Sequence, residues 1–342
     1  MGVEETETLF PSDTKQVAKK LGKERTLACL EKMLECRNFE LRAEAAYQQG
    51  KVGGFLHLYI GQEAIQTALI GAIGVDHWFI ASYRCHALAL LLGETPESLM
   101  KELYGKADGN TFGRGGSMHM YSKRMLGGFA IVGGQIAIGT GAAFSLKYLN
   151  KKGEIAVTFF GDGAMAQGSF HESMNLASLL SVPCMYVLEN NKWSMGTPLY
   201  RTIANHEHFP RMAAAAYDIK YMRLDGMDLF NCYAGFQEAY SHIQSTGRPI
   251  LVECMTERFR GHSISDPALY RSKEELKACM ERDPILLLKN FAMAQGWLTA
   301  EEYKALDKKC RDSILAAVKA AEEDPWPDVA SLESGVYAKG DE

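Results

Sequence analysis

The sequence predicts an α/β protein with a mostly parallel sheet between helices. Three apolar runs, IAVTFF at 155–160, CMYVL at 184–188 and PILVECMTE at 249–257, lack the polar alternation of half-exposed strands and read as strands covered on both faces. Segments of helical periodicity separate them. Between the first two runs lies room for a helix at Ser169 to Leu180, the crossover that parallel neighbours require.

Taken in order, residues 1–15 form a polar arm that is expected to be flexible, and residues 16–342 are expected to form a single domain. Leu27, Leu30, Leu34 and Leu41 recur at helical spacing, so residues 15–50 are expected to fold as one or two amphipathic helices that end before Gly53-Gly54. His77 to Ser82 (HWFIAS) reads as a short strand leading into Tyr83-Arg84, and residues 86–104 return to helical periodicity. Glycines then crowd residues 105–141 as Gly113-Arg114-Gly115-Gly116, Gly127-Gly128, Gly133-Gly134 and Gly139-Thr140-Gly141, which favours backbone passing close to a ligand or another chain. Beyond the run at 249–257, residues 272–323 read as two or three exposed helices, with Asp283-Pro284 opening one.

Of the 342 residues, 47% are hydrophobic and 23% charged, with a net charge of -5; this is ordinary globular composition and argues against nucleic acid as a partner. The eight cysteines are scattered without a Cys-x-x-Cys pair and read as reduced thiols. No apolar run is long enough to span a membrane, and Met1 to Phe10 carries three glutamates where a secretory signal would be basic and apolar. A cytoplasmic location is therefore expected, with no membrane association.

The chemistry is concentrated in two polar groups. Asp162, in Gly161-Asp162-Gly163-Ala164, follows the first buried run, and Asn191, in Glu189-Asn190-Asn191-Lys192-Trp193, follows the second. One βαβ unit separates them, so both emerge at the same sheet edge. A carboxylate and an amide oxygen side by side at the carboxyl ends of parallel strands suit a hard cation such as magnesium with attached phosphates. Gly-Asp-Gly alone is a common turn; the Asn-Asn pair at this distance gives it chemical meaning.

From here the motifs identify a family. The run GDGAMAQGSFHESMNLASLLSVPCMYVLENNKWSMGT resembles the thiamine diphosphate motif, and its filling resembles the α subunit of the pyruvate dehydrogenase component, in the 2-oxo acid dehydrogenase family. FLHLYIGQEA (55–64), SYRCHA (82–87), GRGGSMHMYS (113–122), IVGGQIAIG (131–139) and RFRGHSISDPALYR (258–271) resemble that subunit's segments in the same order, and the likeness covers roughly residues 25–335. The resemblance implies a three-layer thiamine diphosphate-binding fold.

It also implies roles. Asp162, Asn191 and the Trp193 carbonyl would hold magnesium, and Gly163 and Ala164 would offer backbone N–H groups to the diphosphate. Tyr83 and Arg84 would contact phosphate, while His57, Ser122, Ala130 and Val132 would line the cofactor. Most family members have Tyr in place of Trp193 and Gly in place of Ala130. His262 would contact diphosphate and assist acyl transfer as the catalytic residue. The activating glutamate of this class belongs to the β subunit, so the chain is expected to work in an α2β2 assembly, decarboxylating pyruvate and passing the acetyl group to the lipoyl domain of a dihydrolipoyl acyltransferase. Acetoin and branched-chain 2-oxo acids stay open as substrates, as does a non-catalytic assembly role.

Other features read more simply. His119 is expected to be a satisfied loop histidine, and His206 and His208, without further ligands, a solvated loop. Gly139-Thr140-Gly141 partly fits a dinucleotide loop, but no strand is expected before it and no acidic residue lies about 20 residues on. Close helix packing by small residues explains it better.

Overall fold

A computed structural model describes residues 8–335. Six parallel strands make the central sheet: β1 (Trp78–Ser82), β2 (Met125–Phe129), β3 (Ala156–Gly161), β4 (Cys184–Asn190), β7 (Lys220–Asp225) and β8 (Ile250–Met255), in the order β2-β1-β3-β4-β8-β7. β5 (Trp193–Ser194) and β6 (Thr197–Pro198) form a small antiparallel hairpin beyond the end of β4. Every residue of β4 is buried, the apolar run Cys184 to Leu188 as expected and also the polar pair Glu189 and Asn190 at its end.

Successive side chains of the central strands feed two apolar clusters. Val157 and Phe159 of β3, with Met185 and Val187 of β4, enter one. Ala156 and Phe160, with Cys184, Tyr186 and Leu188, enter the other. The first is covered by α1 (Thr14–Gln48), α2 (Glu63–Ile73), α3 (His86–Leu91), α4 (Pro96–Leu103), α8 (Leu229–Thr246), α10 (Pro284–Ala294) and α11 (Ala300–Glu323). The second is covered by α5 (Gly134–Tyr148), α6 (Gly168–Leu179) and α7 (Phe209–Ala216). The outcome is three layers, with each fully buried Phe contributing roughly 1.5–3 kcal/mol.

The expected helical region at 15–50 is α1, capped by Asp13, whose carboxylate accepts the Lys15 N–H at 2.9 Å, and divided in two by the non-helical Gly22 (φ 80°). The stretch 86–104 is two helices, because Thr95 caps a new start with Pro96 in its first turn. Asp283-Pro284 opens α10 as expected, and α9 (Lys273–Met280) is the exposed member of the C-terminal set. In the polar arm, the Phe10 N–H donates to the Arg223 carbonyl at 2.7 Å; residues 1–7 of that arm lie outside the described residues.

The glycine-rich stretch differs from its reading. Its first part closes on an internal anion: the buried Glu102 carboxylate accepts the N–H groups of Thr111 (2.7 Å), Gly113 (2.8 Å), Gly115 (2.7 Å) and Gly116 (3.0 Å). A Cβ at Gly109 would lie 2.5 Å from this carboxylate, so the loop needs glycine to wrap it. The later part contains β2 and most of α5, so a strand does precede Gly139-Thr140-Gly141. Those glycines lie inside α5 and not at the strand–helix turn, and a Cβ at Gly139 would meet Thr158 Oγ1 at 1.9 Å. Close packing of α5 on β3 is thus the role of Gly139, whereas Gly141 faces open space. Among the described residues no helix is long and apolar enough to cross a membrane.

Candidate active site

The chain runs outward from β1 to β2, returns to β3 on the other side of β1, and continues to β4 in the opposite direction. The strand order therefore reverses between β1 and β3, where parallel sheets open a crevice at their carboxyl ends. Ser82, Tyr83 and Arg84 leave β1 there, and Gly161, Asp162 and Gly163 leave β3. These residues line a cleft of about 210 Å³ together with Ala164, Val132, Asn191 and Trp193. β3 and β4 end in register, Gly161 opposite Glu189, which brings the carboxylate and amide segments together as their spacing implied.

Asp162 is 1% exposed. Its Oδ1 accepts the Gly163 N–H at 2.9 Å, whereas Oδ2 is buried with no hydrogen-bond partner. Burial pushes the carboxyl up to about 6, opposed by N–H groups of Gly163, Lys192 and Trp193 and by the charge of Arg258. Asn191 accepts the Trp193 N–H at 3.2 Å through Oδ1 and donates to Gln62 Oε1 at 3.4 Å. Lys192, between β4 and the hairpin, has φ 68°, and Met195, in the hairpin's own turn, φ 59°; Gly163 lies so close to the hairpin that a Cβ would be 2.3 Å from Ser194 Oγ. Asp162 and Gly163 begin a short 3₁₀ turn, residues 162–166; α6 starts at Gly168, one residue before the expected start at Ser169. The Trp193 ring packs on Tyr270 with centroids 4.8 Å apart.

Two guanidinium groups wall the cleft. Arg84 is 5% exposed and Arg258 2%. Arg84 donates to the carbonyls of Leu58 (2.8 Å) and His262, and Arg258 donates to the Met195 carbonyl (3.0 Å) and the Tyr270 hydroxyl (2.8 Å). Among the described residues neither forms an ion pair with a carboxylate. Burial, and next the charge of Arg258, lowers Arg84 to about 10.

His57 and His262 sit in an adjoining cavity of about 480 Å³ that shares Met195 with the cleft. Tyr83 joins the two spaces: its ring lies 4.4 Å from that of His57 and 5.6 Å from that of His262, whose own centroids are 5.0 Å apart. Burial first, then Arg84, lowers His57 to about 2 and His262 to about 4, so both rings are neutral at pH 7. The His262 N–H donates to Asp266 Oδ2 at 2.6 Å, fixing the loop that carries the ring.

Two expected residues stand apart. Ser122 is buried with an unpartnered Oγ, bridged to Met125, and Ala130 follows the end of β2; neither lines the cleft. His119 is satisfied within its loop, with Nδ1 3.0 Å from the Gly115 carbonyl. Among the described residues no group of three or more His, Cys, Asp or Glu side chains is placed to hold a metal, His206 and His208 included. A cation at Asp162 would therefore draw its other ligands from amide, backbone and phosphate oxygens, the set magnesium accepts.

Among the cleft residues that the sequence reading missed, three bear on its chemistry. Gln62 anchors Asn191, and Arg258 supplies the second cation. Glu189 is buried beneath the cleft, pushed up to about 7 by burial, and accepts from the Tyr59 hydroxyl and from Gln66 Nε2 at 3.2 Å. Its place beside Asn190-Asn191 was the available signal.

Sheet and cleft together define an α/β protein with a polar, arginine-walled cleft at the switch point of a parallel sheet. The chain belongs to the Dehydrogenase E1 component family, which it matches over residues 31–330. It is 39% identical over 317 residues to the pyruvate dehydrogenase E1 component subunit alpha of Rickettsia conorii, covering 92% of this chain and 96% of that one. It is 41% identical over 314 residues to the subunit of that name from Rhizobium meliloti (91% and 89% covered). Against the mitochondrial subunit of Schizosaccharomyces pombe, identity is 40% over 320 residues (92% and 77% covered).

Proposed function

We propose that this chain is the α subunit of a pyruvate dehydrogenase component, one that binds thiamine diphosphate with magnesium and acts with a β subunit in an α2β2 assembly. The observation that carries this is the buried, unpartnered Oδ2 of Asp162 beside Asn191, in a cleft walled by two buried guanidiniums that no carboxylate pairs. An anionic diphosphate with a bridging divalent cation satisfies both demands. The names of the three relatives support the choice of pyruvate.

On this reading Asp162, Asn191 and the Trp193 carbonyl hold magnesium, and Arg84, Tyr83 and the N–H groups of Gly163 and Ala164 hold the diphosphate. His57, Val132 and, further out, Ser122 and Ala130 shape the surrounding pocket. When bound, thiamine diphosphate supplies the electron sink for decarboxylation. His262, neutral at pH 7, is available to take and return a proton during acyl transfer to a lipoyl domain. The activating glutamate comes from the β subunit. The eight cysteines, all free in the structure, fit a cytoplasmic setting.

The test is pyruvate decarboxylation by the purified chain with and without its β partner. Activity is expected only in the pair; full activity of the chain alone, or no thiamine diphosphate binding by the pair, overturns the reading.

A further inference from the structure

Glu40 lies on α1, 1% exposed and far from any solvent that would reward its charge. Its Oε1 accepts the Tyr59 N–H at 3.1 Å, and its Oε2 lies 3.0 Å from His86 Nδ1. His86 is fully buried, and its Nε2 lies 3.0 Å from Ser117 Oγ and 3.1 Å from the Ser117 carbonyl. With the carboxylate as acceptor, Nδ1 donates and Nε2 accepts a hydrogen bond from the Ser117 hydroxyl. The three side chains have the order of a hydrolytic triad, but no substrate reaches a serine that is 3% exposed.

What the cluster touches points elsewhere. Tyr59 is two residues from His57 and adjoins Leu58, whose carbonyl accepts from Arg84 Nη1 at 2.8 Å. His86 is two residues from Arg84 and three from Tyr83. Ser117 ends the glycine-rich loop that Glu102 gathers. One carboxylate thus ties together the segments that carry His57, Tyr83 and Arg84, and braces them against that loop.

We propose that Glu40 is a positioning residue for the anion site: through Tyr59 and His86 it sets the spacing of His57 and Arg84 at the cleft. This rests on the phosphate-binding reading of the cleft. The bonds matter here more than the charge. A glutamine at this position keeps both: its carbonyl accepts from Tyr59, its amide donates to Nδ1, and His86 in its other tautomer donates from Nε2 to the Ser117 carbonyl already 3.1 Å away. An aspartate keeps the charge but withdraws it by one methylene, lengthening both bonds.

The experiment uses the αβ complex and measures binding of inorganic pyrophosphate with magnesium, and of thiamine diphosphate, by calorimetry below the melting temperature of each variant. Glu40→Ala is expected to weaken both ligands by about tenfold or more, the scale of a lost positioning contact. Glu40→Gln is expected to stay within about threefold of the parent and to bind more tightly than Glu40→Asp. Should Glu40→Ala fail to fold, the order of Gln and Asp decides. Tighter binding by Asp than by Gln, or unchanged pyrophosphate affinity in a folded Ala or Asp variant that merely melts lower, overturns the proposal. If the parent complex binds neither ligand, it is the phosphate-binding reading that fails.

Discussion

Asp162→Asn is expected to make the cofactor-free protein more stable and to abolish its response to cofactor. An unfolded aspartate titrates near 3.8, and in the fold burial pushes Asp162 up to about 6. Folding therefore favours the protonated form, and that contribution is complete below about pH 3.8 and lost as pH rises through 6. At pH 7 the residue is ionised in both states, and the difference weighs against the fold by roughly 3 kcal/mol. Asparagine removes that burden. Its amide N–H, where Oδ2 has no partner, returns about 1–2 kcal/mol as an unsatisfied donor. The net gain of about 1–2 kcal/mol corresponds to roughly 2–4 °C in melting temperature. Adding magnesium and thiamine diphosphate at about a hundredfold excess over the dissociation constant stabilises the parent by about 2.7 kcal/mol, but leaves the variant, without its anionic ligand, unchanged. Thermal melts of the αβ complex at pH 7, with and without ligands, should therefore show the two proteins exchanging rank. A variant that melts lower than the parent without ligand, or gains as much from magnesium and cofactor, refutes the argument.

Two further outcomes follow from the geometry. Gly139→Ala should cost about 3 kcal/mol or more in urea unfolding, because its Cβ would lie 1.9 Å from Thr158 Oγ1 on a central strand, while Gly141→Ala, with nothing within 4 Å, should be neutral or gain up to about 1 kcal/mol in the isolated chain; equal effects would show that α5 is free to shift. His262, lowered to about 4 by burial, Arg84 and Arg258, should titrate near that value by NMR in the cofactor-free protein, so that its buried neutral ring costs stability as pH falls from 6.5 toward 4. Pyrophosphate with magnesium should raise its midpoint by about one pH unit, and an unmoved midpoint would remove His262 from the anion site.

The β3-α6-β4 unit was legible because both strands are covered on both faces, so their sequences are largely apolar and lack polar alternation. β7 was not: as an edge strand, KYMRLD mixes exposed Lys220 with buried Met222 and Leu224. Helix α2 escaped because its polar residues Glu63, Gln66 and Thr67 are buried, which erases the amphipathic period. Glu63 is held there by Arg37, at 2.5 Å, and Arg37 also reaches Asp283 at 2.9 Å, a pairing across 246 positions that no local pattern announces. The same limit applies to the site. Asp162 and Asn191 are fixed by spacing along one βαβ unit, but Arg258 and Glu40 act through contacts that exist only once α1, β1 and the loop after β8 have met. The glycine-rich loop misled because glycine reports close approach without naming what approaches; here it is Glu102.

The charge of the cleft explains why its components are arranged as they are. Buried guanidiniums are stable when paired and costly when not. Arg84 and Arg258 have carbonyl and hydroxyl partners, which orient them without neutralising them, and burial, with the charge of Arg258 second, lowers Arg84 to about 10. Neither Asp162 nor Glu189, the two carboxyls that border the cleft, forms an ion pair with either arginine, and burial pushes Glu189 up to about 7, so that its charge is only partly developed at neutral pH. Pairing the arginines with acidic neighbours would have given a more stable chain with no affinity left for an external anion. The fold instead holds two fixed cations and one orphaned carboxylate oxygen in a crevice that its topology creates, and on the proposed reading an anion and a divalent cation entering together would relieve both strains. Each taken alone would worsen one of them, which makes joint binding of diphosphate and metal the favourable course.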